Sequence, residues 1–269
     1  MWWPPFLYPP PASAFVAAAS VVQFAAMAKA GLGELRGEHL AYSKFWQVVA
    51  GKQQKKQGGG ALLTSRQGML VAYVPALVVA AASFAVPGVV EGVRTQLLSA
   101  VLTVHFLKRV LEVLFIHQYS GSMPFNTAVS ISSSYFLITT TMIYTQHLTA
   151  GLPDPPLDLL YPGVVVFAVG IAGNFYHHFL LSRLRTKGGD KAYKIPTGGL
   201  FGLVTCPHYL FEIVGFFGFA MIAQTAHAFA IASGSAAYLA GRSCATRRWY
   251  ESKFEDFPAS IKALVPYVL

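Results

Sequence analysis

The chain has 269 residues, 54% of them hydrophobic and 12% charged, with a formal net charge of +9. Soluble domains carry about 25% charged residues, so the composition excludes an ordinary water-soluble enzyme and describes a polytopic membrane protein. In that setting the positive charge is read as cytosolic loops facing anionic headgroups, then as a phosphate-bearing small molecule, and not as a nucleic-acid surface.

The N-terminal Met1-Trp2-Trp3-Pro4-Pro5 has no basic n-region, so no cleaved signal peptide is expected and the segment reads as an interfacial lead-in. Runs long enough to cross a bilayer follow at 11–29, 69–90, 96–118, 125–147, 159–181, 206–224 and 226–242. They predict an all-α fold, a membrane helix bundle of about seven transmembrane helices. The run from Lys52 to Gly60 is a low-complexity, solvated loop. Cys206 and Cys244 are too few for a disulfide framework and read as small apolar packers.

Basic residues orient the bundle. Residues 30–68 hold Arg36, Lys44, Lys52, Lys55, Lys56 and Arg66 against Glu34 and Glu38. The loop after the fifth run holds Arg183, Arg185, Lys187, Lys191 and Lys194 against Asp190, and the tail holds Arg242, Arg247, Arg248, Lys253 and Lys262. The short loops around 91–94 and 154–158 are poor in lysine. Charge on alternate loops follows the positive-inside rule and puts the N-terminus in the lumen and the C-terminus in the cytosol.

Two places concentrate chemistry. Inside the third run, His105, Lys108, Arg109 and Glu112 recur at helical spacings of three and four. They read either as a buried structural ion pair with Glu112 or as a cofactor or substrate site, because ionisable groups at membrane depth are costly. The second place lies between the fifth and sixth runs. Asn174 and His178 share a helix face that Arg185 continues, while His177 faces elsewhere and reads as an interfacial histidine. Arg183 reads as a snorkelling cation. Tyr193 and Lys194 precede Pro196, which breaks a helix, and Gly198-Gly199, which admits backbone close to a ligand. Cys206-Pro207-His208-Tyr209 opens the sixth run, with Glu212 a turn further in. One Cys and one His two apart, with no second pair, do not make a zinc site, so no metal is expected. No Ser-His-Asp triad and no strand-borne dinucleotide fingerprint fits either.

The motifs Tyr193-Lys194-Ile195-Pro196, Gly198-Gly199-Leu200-Phe201, Cys206-Pro207-His208-Tyr209-Leu210-Phe211-Glu212, Arg248-Trp249-Tyr250, Phe254-Glu255-Asp256-Phe257-Pro258 and Lys262-Ala263-Leu264-Val265-Pro266 occur in that order. Together they resemble the C-terminal domain of the steroid 5α-reductase family. The resemblance is strong over these motifs, moderate in the third run and general before it. It implies a multi-span enzyme of the endoplasmic reticulum that uses NADPH to reduce a carbon–carbon double bond conjugated to a carbonyl. The substrate would be a lipid, a 3-oxo-Δ4-steroid or a trans-2-enoyl-CoA of fatty acid elongation, and the working unit a membrane enzyme complex in the latter case. On this resemblance residues 1–90 are N-terminal membrane helices with a basic loop, residues 91–269 the reductase domain, and the two form one continuous membrane unit.

The same resemblance implies roles. Asn174, His178, Arg185, Tyr193, Lys194, His208, Glu212, Arg242 and Tyr250 would line the NADPH site, with the cations on phosphates. His208 stands where many relatives have Asn, His178 where steroid reductases have Asp, and Ile261 where they have Arg. Phe106 replaces the tyrosine of their His-Tyr-Phe-His-Arg motif. Tyr73, in Ala72-Tyr73-Val74-Pro75, stands where they tend to carry Glu ahead of the proline, and Tyr209 matches a tyrosine of the enoyl reductases. The balance leans toward an enoyl-CoA. Tyr209, with Tyr73 second, is expected to be the acid or oxyanion donor, and Lys108 and Arg109 to lower a tyrosine pKa or hold phosphate. The rival readings are an isoprenylcysteine-type membrane methyltransferase, a sterol C-14-type reductase and a non-catalytic membrane protein.

Overall fold

The computed structural model describes residues 3–42, 45, 61–184 and 193–269. Among the described residues lie seven α-helices: α1 (Ala14–Arg36), α2 (Ser65–Ala82), α3 (Gly92–Leu111), α4 (Phe125–His147), α5 (Leu160–Arg183), α6 (Pro207–Ala223) and α7 (Ala226–Lys253). Two short strands, β1 (Leu62–Thr64) and β2 (Ser122–Pro124), and three short 3-10 or π turns accompany them among the described residues. The all-α expectation holds, and one helix stands over each predicted run. Among the described residues, three stretches are long and apolar enough to cross a membrane by length and composition: Ala14–Arg36, Ser65–Ala85 and Leu160–Arg183. The others are more polar or shorter. Cations punctuate α3 and α7, hydroxyls stud α4, and α6 is apolar but brief.

Local chemistry sets the helix ends. Ser13 caps α1 by accepting from the Val16 N–H, and Gly37 closes it in the left-handed region at φ 87°, its N–H returning to the Glu34 carbonyl. Thr64 and Gln67 form a capping box at the start of α2. Pro207 occupies the first turn of α6, where its missing N–H costs nothing. Gln224 then turns the chain into α7, and its fully buried side chain accepts from the Leu159 N–H and donates to the Phe6 and Leu157 carbonyls. That satisfied amide explains why two predicted runs separated by so little sequence are distinct helices.

Packing divides the chain into two units, residues 1–37 with 151–269, and residues 38–150. The first unit groups α1 with the C-terminal motifs. In the first unit α5 lies along α6, α6 along α7, and α1 along α7. Small residues permit these approaches. A Cβ on Gly170 would overlap the Gly215 backbone nitrogen, and one on Gly241 would overlap the Gly31 carbonyl. Close backbone approach of this kind drives helix association where lipid removes the hydrophobic incentive. The tail returns to the start of α6: Thr205 and Cys206 donate to the Lys262 and Ala263 carbonyls at 2.8 and 3.1 Å. Arg247 ties the same segment down through the Ile261 carbonyl at 2.7 Å.

One charge differs from its expected setting. Glu34 reads in the sequence as a loop residue beyond the first run. The helix instead continues to Arg36, and Glu34 is buried within it, 2.6 Å from an Arg242 guanidinium nitrogen on α7. The sequence rule looked for apolar residues, whereas a partnered acid is compatible with the same helix.

In the second unit α2 packs on α4 and on α3. Antiparallel β1 and β2, in the register Leu63↔Met123, lead directly into α2 and α4 and set the two helix starts side by side. Beyond α3 the chain continues as a π turn over Glu112–Ile116.

Candidate active site

In the first unit the corner between α5 and α6 gathers five of the expected residues. Asn174 is buried on α5 and its side-chain amide donates to the His208 carbonyl at 2.8 Å. The His178 ring, also buried, lies 5.5 Å from the His208 ring, and Tyr209 packs against His208 at 4.2 Å. The Asn174 bond consumes a carbonyl in the first turn of α6, so α5 and the helix start are held in one arrangement. Glu212 follows His208 by one turn. It is 7% exposed and has no hydrogen bond or ion pair among the described residues.

His177 departs from its expected interfacial setting: it is 3% exposed. Its Nδ1 lies 2.7 Å from the Gly173 carbonyl and its Nε2 accepts from the Leu200 N–H at 3.1 Å. The ring stacks on Phe211 at 5.3 Å and meets Phe201 edge-on at 5.5 Å. Helical period put it off the Asn174 face, and the turn after Pro196 supplies a second wall on that side. The sequence signal for it was a histidine one turn after a glycine, Gly173, whose carbonyl is open to a ring nitrogen.

The remaining expected residues are dispersed along α7 and its approach. Tyr193 meets the Trp249 edge at 4.8 Å, and Tyr250 is buried in a stack with Phe254 and Phe257 at 5.8 and 5.6 Å. Lys194 is exposed. Arg242 is engaged by Glu34 within the helix pair. Arg185 lies outside the described residues.

The second unit holds a polar cluster. Lys108 and Arg109 both reach Glu112, at 3.1 and 3.0 Å, so the structural ion pair forms. Arg109 does more than pair: it donates to the Tyr73 hydroxyl, with its guanidinium carbon 4.7 Å from the Tyr73 ring centre. Tyr73 packs on Tyr135 at 5.4 Å, and Phe106 meets Tyr135 edge-on at 5.5 Å. His117 stands 3.9 Å from Glu112. Tyr119, which the sequence reading passed over, belongs to the same electrostatic group. Burial holds its phenol well above the ordinary range; Tyr73 and Glu112 add to the shift and Arg109 and Arg66 oppose it. A loop tyrosine just past a charged helix was the available signal.

Comparison with known proteins places these motifs among relatives. The sequence model described as 3-oxo-5-alpha-steroid 4-dehydrogenase matches residues 117–269. The chain is similar to the very-long-chain enoyl-CoA reductase of Dictyostelium discoideum, 31% identical over 169 residues, covering 62% of this chain and 56% of that protein. It is 28% identical over 238 residues to 3-oxo-5-alpha-steroid 4-dehydrogenase 2 of Rattus norvegicus, covering 86% of this chain and 89% of that one. With a steroid 5-alpha-reductase of Gossypium hirsutum the identity is 41% over 107 residues, 39% of this chain and 41% of the relative. The matches thus span about half the length of the Dictyostelium and cotton proteins.

Proposed function

The chain belongs to the 3-oxo-5-alpha-steroid 4-dehydrogenase family, and from that premise we propose that it is an integral-membrane, NADPH-dependent reductase of a carbon–carbon double bond conjugated to a carbonyl in a lipid. The observation that carries the reading is the α5–α6 corner inside the matched segment, where Asn174, His178, His208 and Glu212 bring polar groups together among apolar helices. The donor set suits a nicotinamide cofactor. Glu212 is a buried acceptor with room in its bonding for a carboxamide N–H, and Lys194 and Arg185 would meet phosphates by charge-assisted hydrogen bonds. Tyr193 and Tyr250 would contribute through the aromatic group beside α7, and Arg242 through the same helix.

When bound, a reduced nicotinamide would supply hydride to the β carbon of the conjugated system. The substrate carbonyl oxygen then gains negative charge, and one donor aimed at it is worth about 3–4 kcal/mol. Tyr209 is our first assignment for that donor or for the acid that protonates the α carbon. It stands in the first turn of α6, at the positive end of the helix dipole, which favours developing anionic charge. Tyr73 is second: it stands in the polar cluster of the second unit, where Arg109 donates to its hydroxyl oxygen. Lys108 supports this through their shared Glu112.

The substrate class leans to a trans-2-enoyl-CoA. At the position of the steroid reductases' tyrosine stands Phe106, 1% exposed and packed on Tyr135, with no hydroxyl to offer a steroid 3-oxo group. We further take the seven helices as seven spans in the endoplasmic reticulum, with residues 91–269 as the reductase segment, a cytosolic C-terminus and an elongation complex as the working partner. The deciding experiment offers microsomes NADPH with a long trans-2-enoyl-CoA and a 3-oxo-Δ4-steroid in parallel. Reduction of the thioester alone is the expected result. Reduction of the steroid alone would overturn the substrate lean, and reduction of neither by folded protein would overturn the reductase reading.

A further inference from the structure

The turn that follows Pro196 is held in an unusual backbone. Gly198 sits at φ 86° and Gly199 at φ 51°, conformations that L side chains rarely adopt. From there a short 3-10 turn over Gly199–Gly202 leads toward His208. The buried side chain that meets this turn is His177. Its Nε2 accepts the Leu200 N–H at 3.1 Å, and a Cβ added at Gly199 would come within 2.6 Å of that same nitrogen. On the other edge of the ring, Nδ1 is 2.7 Å from the Gly173 carbonyl and must carry the proton. Both bonds form together only in the neutral imidazole protonated at Nδ1. A second proton would turn Nε2 into a donor facing the Leu200 N–H. Phe211 and Phe201 fix the ring plane, and Phe201 continues to His208 at a ring separation of 6.5 Å.

We propose that His177 is a positioning residue of the cofactor site: it clamps the Gly198–Leu200 turn to α5 and through that turn sets the affinity for NADPH. The inference rests on the reading that the α5–α6 corner binds NADPH. It goes beyond that reading because it assigns a role to a residue that touches only backbone and rings. The turn lies between Lys194 and His208, so releasing it loosens the approach to both at once. The site would then lose binding without losing the acid.

Two substitutions separate the halves of the clamp. His177→Gln sets a carbonyl oxygen about where Nε2 stands and keeps the acceptor for Leu200. His177→Asn keeps a donor about where Nδ1 stands and leaves the Leu200 N–H without its partner. Loss of this part-buried hydrogen bond is expected to weaken NADPH binding by up to about tenfold. The purified full chain in detergent is titrated with NADPH, and turnover is measured at saturating NADPH with varied enoyl-CoA. We expect the Gln variant to bind NADPH as wild type does. The Asn variant should raise Kd and KM for NADPH by up to about tenfold, with kcat and the KM for the lipid unchanged. Wild-type affinity in the Asn variant, or equal losses in both variants, would overturn the proposal.

A ligand-independent readout runs beside it. Tryptic cleavage after the exposed Lys194 should be faster in the Asn variant than in the Gln variant or wild type, and equal rates in all three would overturn the clamp. A wild-type protein that binds no NADPH would defeat the cofactor reading itself. The cleavage order would then still decide whether His177 holds the turn.

Discussion

The Glu34–Arg242 pair lends itself to a quantitative test. Both side chains are 1% exposed and 2.6 Å apart, linking α1 to α7 beside the Gly31–Gly241 approach. Charges this deep exchange hydration for one another, and breaking such a buried pair by removing one partner costs about 3–5 kcal/mol. Glu34→Met and Arg242→Met should each destabilise the protein by that amount. At about 2–4 °C per kcal/mol for chains of this size, the midpoint of thermal unfolding in detergent should fall by roughly 6–20 °C. The double variant Glu34→Met with Arg242→Met replaces the pair with apolar side chains and should recover most of the loss, since such exchanges are often neutral or better. Added salt should leave the single-variant deficits in place, because buried pairs are poorly screened. The assay is tryptophan-fluorescence melting with size-exclusion survival as a second probe. Single variants that melt with wild type, or a double variant no more stable than either single, would refute the reasoning. The double variant also divides the two roles of Arg242: if it regains stability but not NADPH affinity, the arginine reaches the cofactor as well as Glu34.

Three further outcomes are expected. Tyr209→Phe should lower turnover by about 10²–10⁴-fold while the protein melts as wild type, and retained activity would pass the role to Tyr73, whose own Phe variant is the control. Gly170→Ala should destabilise by about 1–3 kcal/mol, against the gain of roughly 1 kcal/mol that alanine brings to an open helix, because its methyl meets α6 backbone rather than a side chain that can turn away; an unchanged melting midpoint would show that the helices separate at no cost. Tyr119 is held neutral by burial, so its folded pKa lies above the ordinary 10.0. Its contribution is fully present below that value and falls as pH rises past it, where the unfolded chain releases the proton first. Tyr119→Phe should therefore flatten the alkaline fall of stability in pH-dependent melting, and an identical pH profile would sink the assignment.

The helices were legible because length and hydrophobicity are local properties, and each predicted run contains one. Their ends were less so. The run rule stopped the first helix at residue 29, whereas the helix runs to Arg36, since Glu34 keeps its backbone bonds once Arg242 takes its charge. The last helix likewise passes Arg242 to Lys253. The grouping of helices was harder to read, because nothing in the order of runs says that α1 returns to α7. The glycines that allow the return, Gly31 and Gly241, are 210 positions apart in a chain with many glycines, and only their contact distinguishes them.

The same physical rule that located the site also marks what it missed. Ionisable groups in apolar surroundings need partners. Where the partners are three and four residues apart, as Lys108 and Arg109 are from Glu112, spacing alone predicts the pairing. Where they are far apart in sequence, as Glu34 is from Arg242 and His177 from Leu200, spacing gives the face but not what meets it. Assigning partners in three dimensions thins the polar list: Arg242 bonds Glu34 and His177 bonds Gly173 and Leu200 within the first unit, and Lys108 and Arg109 pair with Glu112 within the second. Glu212, buried beside His208 with no bond among the described residues, is the carboxylate left to be met by something else. That contrast with the paired Glu34 and Glu112 is why we propose a ligand at the α5–α6 corner.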